Sequence, residues 1–167
     1  MLSLSAELDL ALDLARTAEH EILPRFRHVS VTEKPDGTEV TAADREAERA
    51  MRTRLAEARP DHAVLGEEFG ARGPEDARYR WVLDPVDGTA GFTIGVPLFG
   101  TLVALLENGS PVVGVIHFPV INETVYAARG EGCCFRTADT ETTVAVDPVD
   151  TLSEATVTST ALHSSDV

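Results

Sequence analysis

The sequence predicts an α+β domain in which two N-terminal helices pack on a largely antiparallel sheet. Three observations carry that reading. Apolar residues recur at three- and four-residue steps as far as Leu55, the signature of amphipathic helices. Beyond that point the apolar residues fall into short runs bounded by turn residues, the signature of strands. Two of those runs are joined by Asn108-Gly109-Ser110, a strong hairpin signal. Helices first and strands after them indicate an α+β layer structure. A chain of 167 residues is long enough for one domain with a real core, and it contains no internal repeat.

Each element has a local reason. Residues 3–28 read as a helix with Leu8, Leu12, Ala15, Ala18 and Ile22 on one stripe, and Pro24 kinks or ends it. Lys34-Pro35-Asp36-Gly37 marks a turn within residues 29–40. Thr41 is a good N-cap for a second helix, and Asp44 sits in its first turn, where an acid suits the dipole. Ala43, Ala47, Ala50, Met51 and Leu55 form its buried stripe, and Pro60 lies past its end. Residues 63–66 then read as a strand that ends in Glu67-Glu68, residues 70–76 as a loop, and residues 79–83 as a strand that ends at Asp84. Further strands are expected at 100–107, 111–118, 124–128, 142–146 and 155–160.

Charge narrows the function. Against 14 basic residues stand 28 acidic ones, for a net charge of −14. Nucleic-acid binding needs a basic face, so that class is excluded. The same charge repels a phosphate ester at long range, so a phosphate-handling site here needs divalent cations to invert the local field. The neighbours Cys133 and Cys134 fit disulfide geometry badly and lack zinc spacing, which reads as buried thiols in a reducing compartment. The N-terminus has neither a signal-peptide pattern nor a membrane span, and a cytoplasmic setting is expected.

The chemistry concentrates at Asp84-Pro85-Val86-Asp87-Gly88-Thr89. Pro85 fixes its own φ, so the chain leaves Trp81-Val82-Leu83 on a rigid path that lets both carboxylates face one place. The Val86 carbonyl between them is a third hard oxygen, the ligand type magnesium prefers. Gly88 permits close backbone approach, Thr89 adds a hydroxyl and an N–H, and a short helix starting here would offer an anion site. Glu67 could complete a two-metal clamp, and Glu67 or Glu68 with Thr89 could accept a proton from water. Each piece also has a plain reading. A Glu-Glu pair is usually a solvated loop, Asp44 alone is a first-turn helix acid, and every residue of the Asp84 segment favours turns. His20, His28, His62 and His163 form no ligand pattern, and His117 reads as a core or edge residue. The two residues between the acids also separate this segment from the Asp-x-Asp-Gly-Thr nucleophile loop of the haloacid-dehalogenase phosphatases, so an aspartyl-phosphate route is not expected.

Three segments, in order, resemble the inositol monophosphatase family of lithium-sensitive, magnesium-dependent phosphomonoesterases. They are Thr38-Glu39-Val40-Thr41-Ala42-Ala43-Asp44 with Lys34 upstream, Gly66-Glu67-Glu68, and Trp81 through Thr89. The run from Gly95 to Leu105 looks most like the histidinol-phosphatase branch. The resemblance runs from about Ala11 to the terminus and implies the N-terminal half of the layered α-β-α-β-α sugar-phosphatase fold. By the same resemblance, Glu67, Asp84 and the Val86 carbonyl would hold a first magnesium, and Asp84 and Asp87 would share a second. Asp44 would serve a third, weaker metal through water. Gly88 and Thr89, with Asp87, would bind the substrate phosphate, and Glu67, Thr89 and Asp44 would act in catalysis, with water attacking a small phosphomonoester directly. Family members continue into a second α/β domain whose Trp-Asp-x-Ala-Ala-type motif completes the second metal site. That motif is not in these 167 residues, Gly91 stands where Asn or Ser is common, and Cys133-Cys134-Phe135 replaces a Gly-Ala-Phe-type run. A single truncated domain over residues 1–167 is therefore expected, with its second metal site incomplete. Its uncovered sheet face should favour a homo-oligomer or a partner chain. A catalytically impaired metal- or phosphate-binding module, or half of a split enzyme, is the alternative.

Overall fold

Ser3 caps helix α1, Leu4–Ile22, by accepting from the Ala6 N–H. The computed structural model describes residues 3–28, 31–33, 39–146 and 148–156. The helix expected over residues 3–28 ends at Ile22, and Leu23–Arg25 tighten into a 3-10 turn. Pro24 is the reason, because it has no N–H to continue the helical ladder. Helix α2, Ala42–Ala58, begins at Thr41 with a capping box in which Asp44 reaches back to the cap residue. The short strands β1, Val31–Glu33, and β2, Glu39–Thr41, pair antiparallel. The expected turn at Lys34-Pro35-Asp36-Gly37 lies outside the described residues.

The two helices lie side by side on one face of an eight-stranded sheet. Its strands are β3 (Ala63–Gly66), β4 (Gly70–Arg72), β5 (Tyr79–Asp87), β6 (Gly100–Glu107), β7 (Ser110–Phe118), β8 (Glu123–Ala128), β9 (Gly132–Arg136) and β10 (Glu141–Val144). Their spatial order is β10-β9-β8-β7-β6-β5-β3-β4. Neighbours run antiparallel except β3 and β5, which run parallel. A five-residue helix, α3 (Thr89–Thr93), follows β5.

Three boundaries correct the sequence reading. The loop expected at 70–76 begins with β4, which turns back on β3 from Gly70 at φ 62°. The strand expected at 79–83 runs on through Asp87. The Cys133-Cys134 segment belongs to β9, paired on both sides, where its short, weakly apolar pattern carried no strand signal. Both thiols are free and half-buried, not buried. The expected strand at 142–146 is observed as Glu141–Val144. Of the strand expected at 155–160, Ala155 and Thr156 are not in a strand and the remainder lies outside the described residues.

The core sits between helices and sheet. Leu14, Ala18 and Ile22 of α1 and Ala47, Met51 and Leu55 of α2 meet Trp81, Leu83, Val103, Leu105 and Val115 from alternate positions of β5, β6 and β7. Two carboxylates join the elements, Glu7 buried and Glu19 partly exposed. Glu7 is clasped by Arg59 at 2.7 Å, joining the start of α1 to the end of α2. Glu19 meets His117 at 2.9 Å, and the other ring nitrogen of His117 bonds Thr124. His117 is thus a satisfied interior residue. The opposite sheet face carries Val82, Leu102, Ala104, Ile116, Val125 and Ala127 around a shallow concavity of about 470 Å³. Among the described residues no helix is long and apolar enough to cross a membrane.

Candidate active site

The geometry at Asp84 rests on one extra residue. In a regular strand, residues three apart point to opposite faces. Between Asp84, paired with Leu102, and Asp87, paired with Gly100, β5 spends three steps against two on β6. This bulge shifts the alternation, so the two acids can serve one place. Pro85 belongs there because it has no N–H to give the ladder, and its carbonyl is held by the Thr101 hydroxyl at 2.8 Å.

The parallel pairing of β3 with β5 brings the second acidic cluster alongside. Gly66 lies opposite Leu83, and the Glu67 N–H continues the ladder to the Leu83 carbonyl at 3.2 Å. Glu67 therefore emerges beside Asp84. Burial, reinforced by the Glu67 carboxylate and then by Asp87, pushes the Asp84 pKa up to about 8. Asp84 Oδ1 is buried and has no hydrogen-bond partner, whereas most buried polar atoms in folded proteins have one.

Asp44 and Thr89 form the other half of the site. Asp44 is buried, and its Oδ2 accepts from the Thr41 N–H at 2.9 Å and the Thr41 hydroxyl at 2.5 Å. Its Oδ1 stands 3.1 Å from the Thr89 hydroxyl, which also lies 3.0 Å from the Val86 carbonyl. The helix cap thus doubles as a bridge from α2 to the Asp84 segment. Gly88, with φ 94°, turns the chain into α3, and its O accepts from the Phe92 N–H at 3.0 Å. Only the left-handed φ requires glycine at 88, since a Cβ there would make ordinary contacts of 3.6 Å.

The sequence reading missed Glu48. It lies one turn beyond Asp44 on α2, is fully buried, and accepts from the Glu68 N–H at 2.7 Å. The four-residue step from Asp44 was the available signal, since such residues share a helix face. His20, His28 and His62 take no part in the site, and His62 instead accepts from the Trp81 indole N–H at 3.1 Å.

A family model described as the inositol monophosphatase family matches residues 4–166. The chain belongs to the inositol monophosphatase family. Among curated relatives, it is 44% identical over 128 residues to a histidinol-phosphatase of Mycobacterium tuberculosis, covering 75% of this chain and 49% of that protein. It is 38% identical over 131 residues to an inositol-1-monophosphatase of Mesorhizobium japonicum, covering 77% and 49%. Among solved structures, the SuhB protein of Bartonella henselae superposes with a TM-score of 0.74 at 33% identity, covering 78% of this chain and 52% of that one. The chain spans about half the length of the curated relatives it matches.

The donor set suits the hard cation this family membership brings into question. Its candidate donors are oxygens: the carboxylates of Glu67, Asp84 and Asp87 and the Val86 carbonyl, which retains a lone pair beside its bond from Thr89. The orphaned Asp84 Oδ1 is a buried oxygen that a cation would satisfy. Among the described residues no three acidic, His or Cys side chains close into a ready-made cage. A magnesium ion does not need one, because it keeps several waters and takes only one or two carboxylates. Gly91 sits in α3 with its nearest would-be Cβ contact at 3.8 Å from Val96. Gly91→Ala should therefore stabilise the chain by up to ~1 kcal/mol through helix propensity, read as a rise in melting temperature.

Proposed function

We propose that the chain is the N-terminal, cation-holding portion of a magnesium-dependent phosphomonoesterase for histidinol phosphate, an inositol phosphate or a related small phosphate. The observation that carries this reading is the orphaned, buried Asp84 Oδ1 between Glu67 and Asp87. Glu67, Asp84 and the Val86 carbonyl would hold one magnesium, and Asp84 with Asp87 a second that this stretch leaves incomplete. Magnesium bound there would neutralise phosphate charge and acidify a coordinated water.

The chain's own groups do the remaining work. Thr89 has one hydroxyl proton and two candidate acceptors, Asp44 Oδ1 and the Val86 carbonyl. Donating toward Asp44 turns its lone pairs outward, so it can orient a water and take its proton while passing its own to Asp44. Asp44 is held for that exchange by Thr41. Glu67 is a second acceptor within the same cluster. The backbone N–H groups of Gly88 and Thr89, at the start of α3, would bind the substrate phosphate. The setting is cytoplasmic in this reading, supported by two free thiols.

The test is hydrolysis of histidinol phosphate, inositol phosphate and an aryl phosphate with magnesium, against Asp84→Asn. Activity that survives Asp84→Asn excludes the cation mechanism. No hydrolysis, combined with magnesium stabilisation that Glu67→Gln removes, favours a binding module or half of a split enzyme. The apolar face around Ile116, which is 41% exposed, supports a homo-oligomer or a partner chain. Light scattering of the 167-residue chain should accordingly show self-association that Ile116→Lys reduces, whereas a clean monomer contradicts it.

A further inference from the structure

Glu48 is a charged side chain with no exposure, placed one helical turn beyond Asp44 and underneath the Glu67-Glu68 turn. Its Oε2 accepts from the Glu68 N–H at 2.7 Å, and its Oε1 from the Phe69 N–H at 3.3 Å. Arg52 Nε closes on Oε1 at 2.6 Å, and Arg52 Nη2 donates to the Gly70 carbonyl. The guanidiniums of Arg49 and Arg52 stand 5.2 and 6.0 Å from the Phe69 ring. Every residue from Glu68 to Gly70 is thus gripped from α2. On the other side, the Glu67 N–H is pinned to Leu83, the residue before Asp84.

The choice of glycine at 66 follows from the same carboxylate. A Cβ at Gly66 would lie 1.9 Å from Glu48 Oε1 and 2.3 Å from its Cδ, and Gly66 has no positive φ to explain it otherwise. Burying an ion pair is a poor way to gain stability, because desolvation offsets most of the attraction. Two adjacent N–H donors on one carboxylate, with the carboxylate locked by Arg52, instead fix an orientation.

We propose that Glu48 is a positioning residue for the cation site: anchored by Arg52 and admitted by Gly66, it sets the direction in which Glu67 presents its carboxylate to Asp84. The inference rests on the cation reading of Glu67 and Asp84. Glu48→Gln keeps the side-chain size but turns an NH2 toward a donor that the carboxylate had satisfied. Gly66→Ala displaces the same carboxylate from the other side.

Melting temperature of the full chain against magnesium concentration, with a chelator baseline for each protein, tests it. Isothermal titration supplies dissociation constants. Both variants should weaken magnesium binding about 10–100-fold, the usual effect of losing a partner behind a ligand. Arg52→Lys, which keeps the charge but not the fork, should fall between them and wild type. A purely structural role would lower the chelator baseline and leave the magnesium dependence where it was, and that result overturns the proposal. Should Glu48→Gln fail to fold, Gly66→Ala and Arg52→Lys give the same decision. Wild-type protein that takes up no magnesium sinks the cation reading together with this inference. Wild type that binds, with variants that bind equally, sinks this inference alone.

Discussion

Asp84→Asn should raise the melting temperature of the chelated protein at pH 8 and remove the stabilisation that the cation reading expects from magnesium. The sign follows from the proton balance. Burial and the neighbouring acids lift the Asp84 pKa from 3.8 to about 8. Between those values the folded chain holds a proton that the unfolded chain has released, so stability falls as pH rises through that window. Below it the contribution is fully present, and above about 8 it is gone. Asparagine does not ionise, so the variant loses this slope and melts higher at the alkaline end. Thermal melts from pH 5 to pH 8 with chelator check the slope. The same melts with magnesium should show a gain for wild type and none for Asp84→Asn. Magnesium-dependent hydrolysis by the variant should drop at least ~100-fold, since the stabilisation of transition-state charge is lost. A variant that melts lower than wild type at pH 8 in chelator would contradict the description of this carboxylate.

On the proposed reading, Asp44→Ala should destabilise the chain and slow phosphate release together. The side chain closes the capping box of α2 by accepting from Thr41. Losing it leaves the buried Thr41 donors unpaired, at about 1–3 kcal/mol. That loss lowers the melting temperature of a chain this size by about 2–12 °C. The Thr89 hydroxyl then keeps only the Val86 carbonyl as acceptor, so it points away from the proton path, with a rate loss of about 10²–10⁴. Thr89→Val separates the two effects. It should carry the loss of rate with little of the loss of stability, because the cap is untouched. Calorimetry and phosphate release, measured on both variants, decide this.

Much of this arrangement was legible in the residues. Thr41 and Asp44 have the spacing of a helix start, and the structure has a capping box there. The hairpin at Asn108-Gly109 is observed between β6 and β7, with both residues at positive φ. The end of α1 was less legible, because apolar periodicity continues past Pro24 although the hydrogen-bond ladder does not. Strand β9 was missed because Gly132 is exposed and Cys133 through Arg136 are only half-buried, and its strand character comes from neighbours on both sides. Glu48 was missed because a glutamate on a helix ordinarily faces water.

By itself the sequence determined the helix starts, the apolar stripes, the hairpin, and two acidic clusters placed after apolar runs. These are local matters of period, capping and turn chemistry, which a residue's near neighbours decide. Only the tertiary structure decided that the clusters meet. That depends on β3 lying parallel to β5, on a bulge that restores two acids three residues apart to one side, and on helix α2 crossing behind both. Strand direction, register and packing are set by contacts between residues distant in the chain, and no short-range pattern encodes them. Asp84 shows the consequence: as a residue it is an ordinary acid, and burial beside Glu67 and Asp87 is what lifts its pKa to about 8.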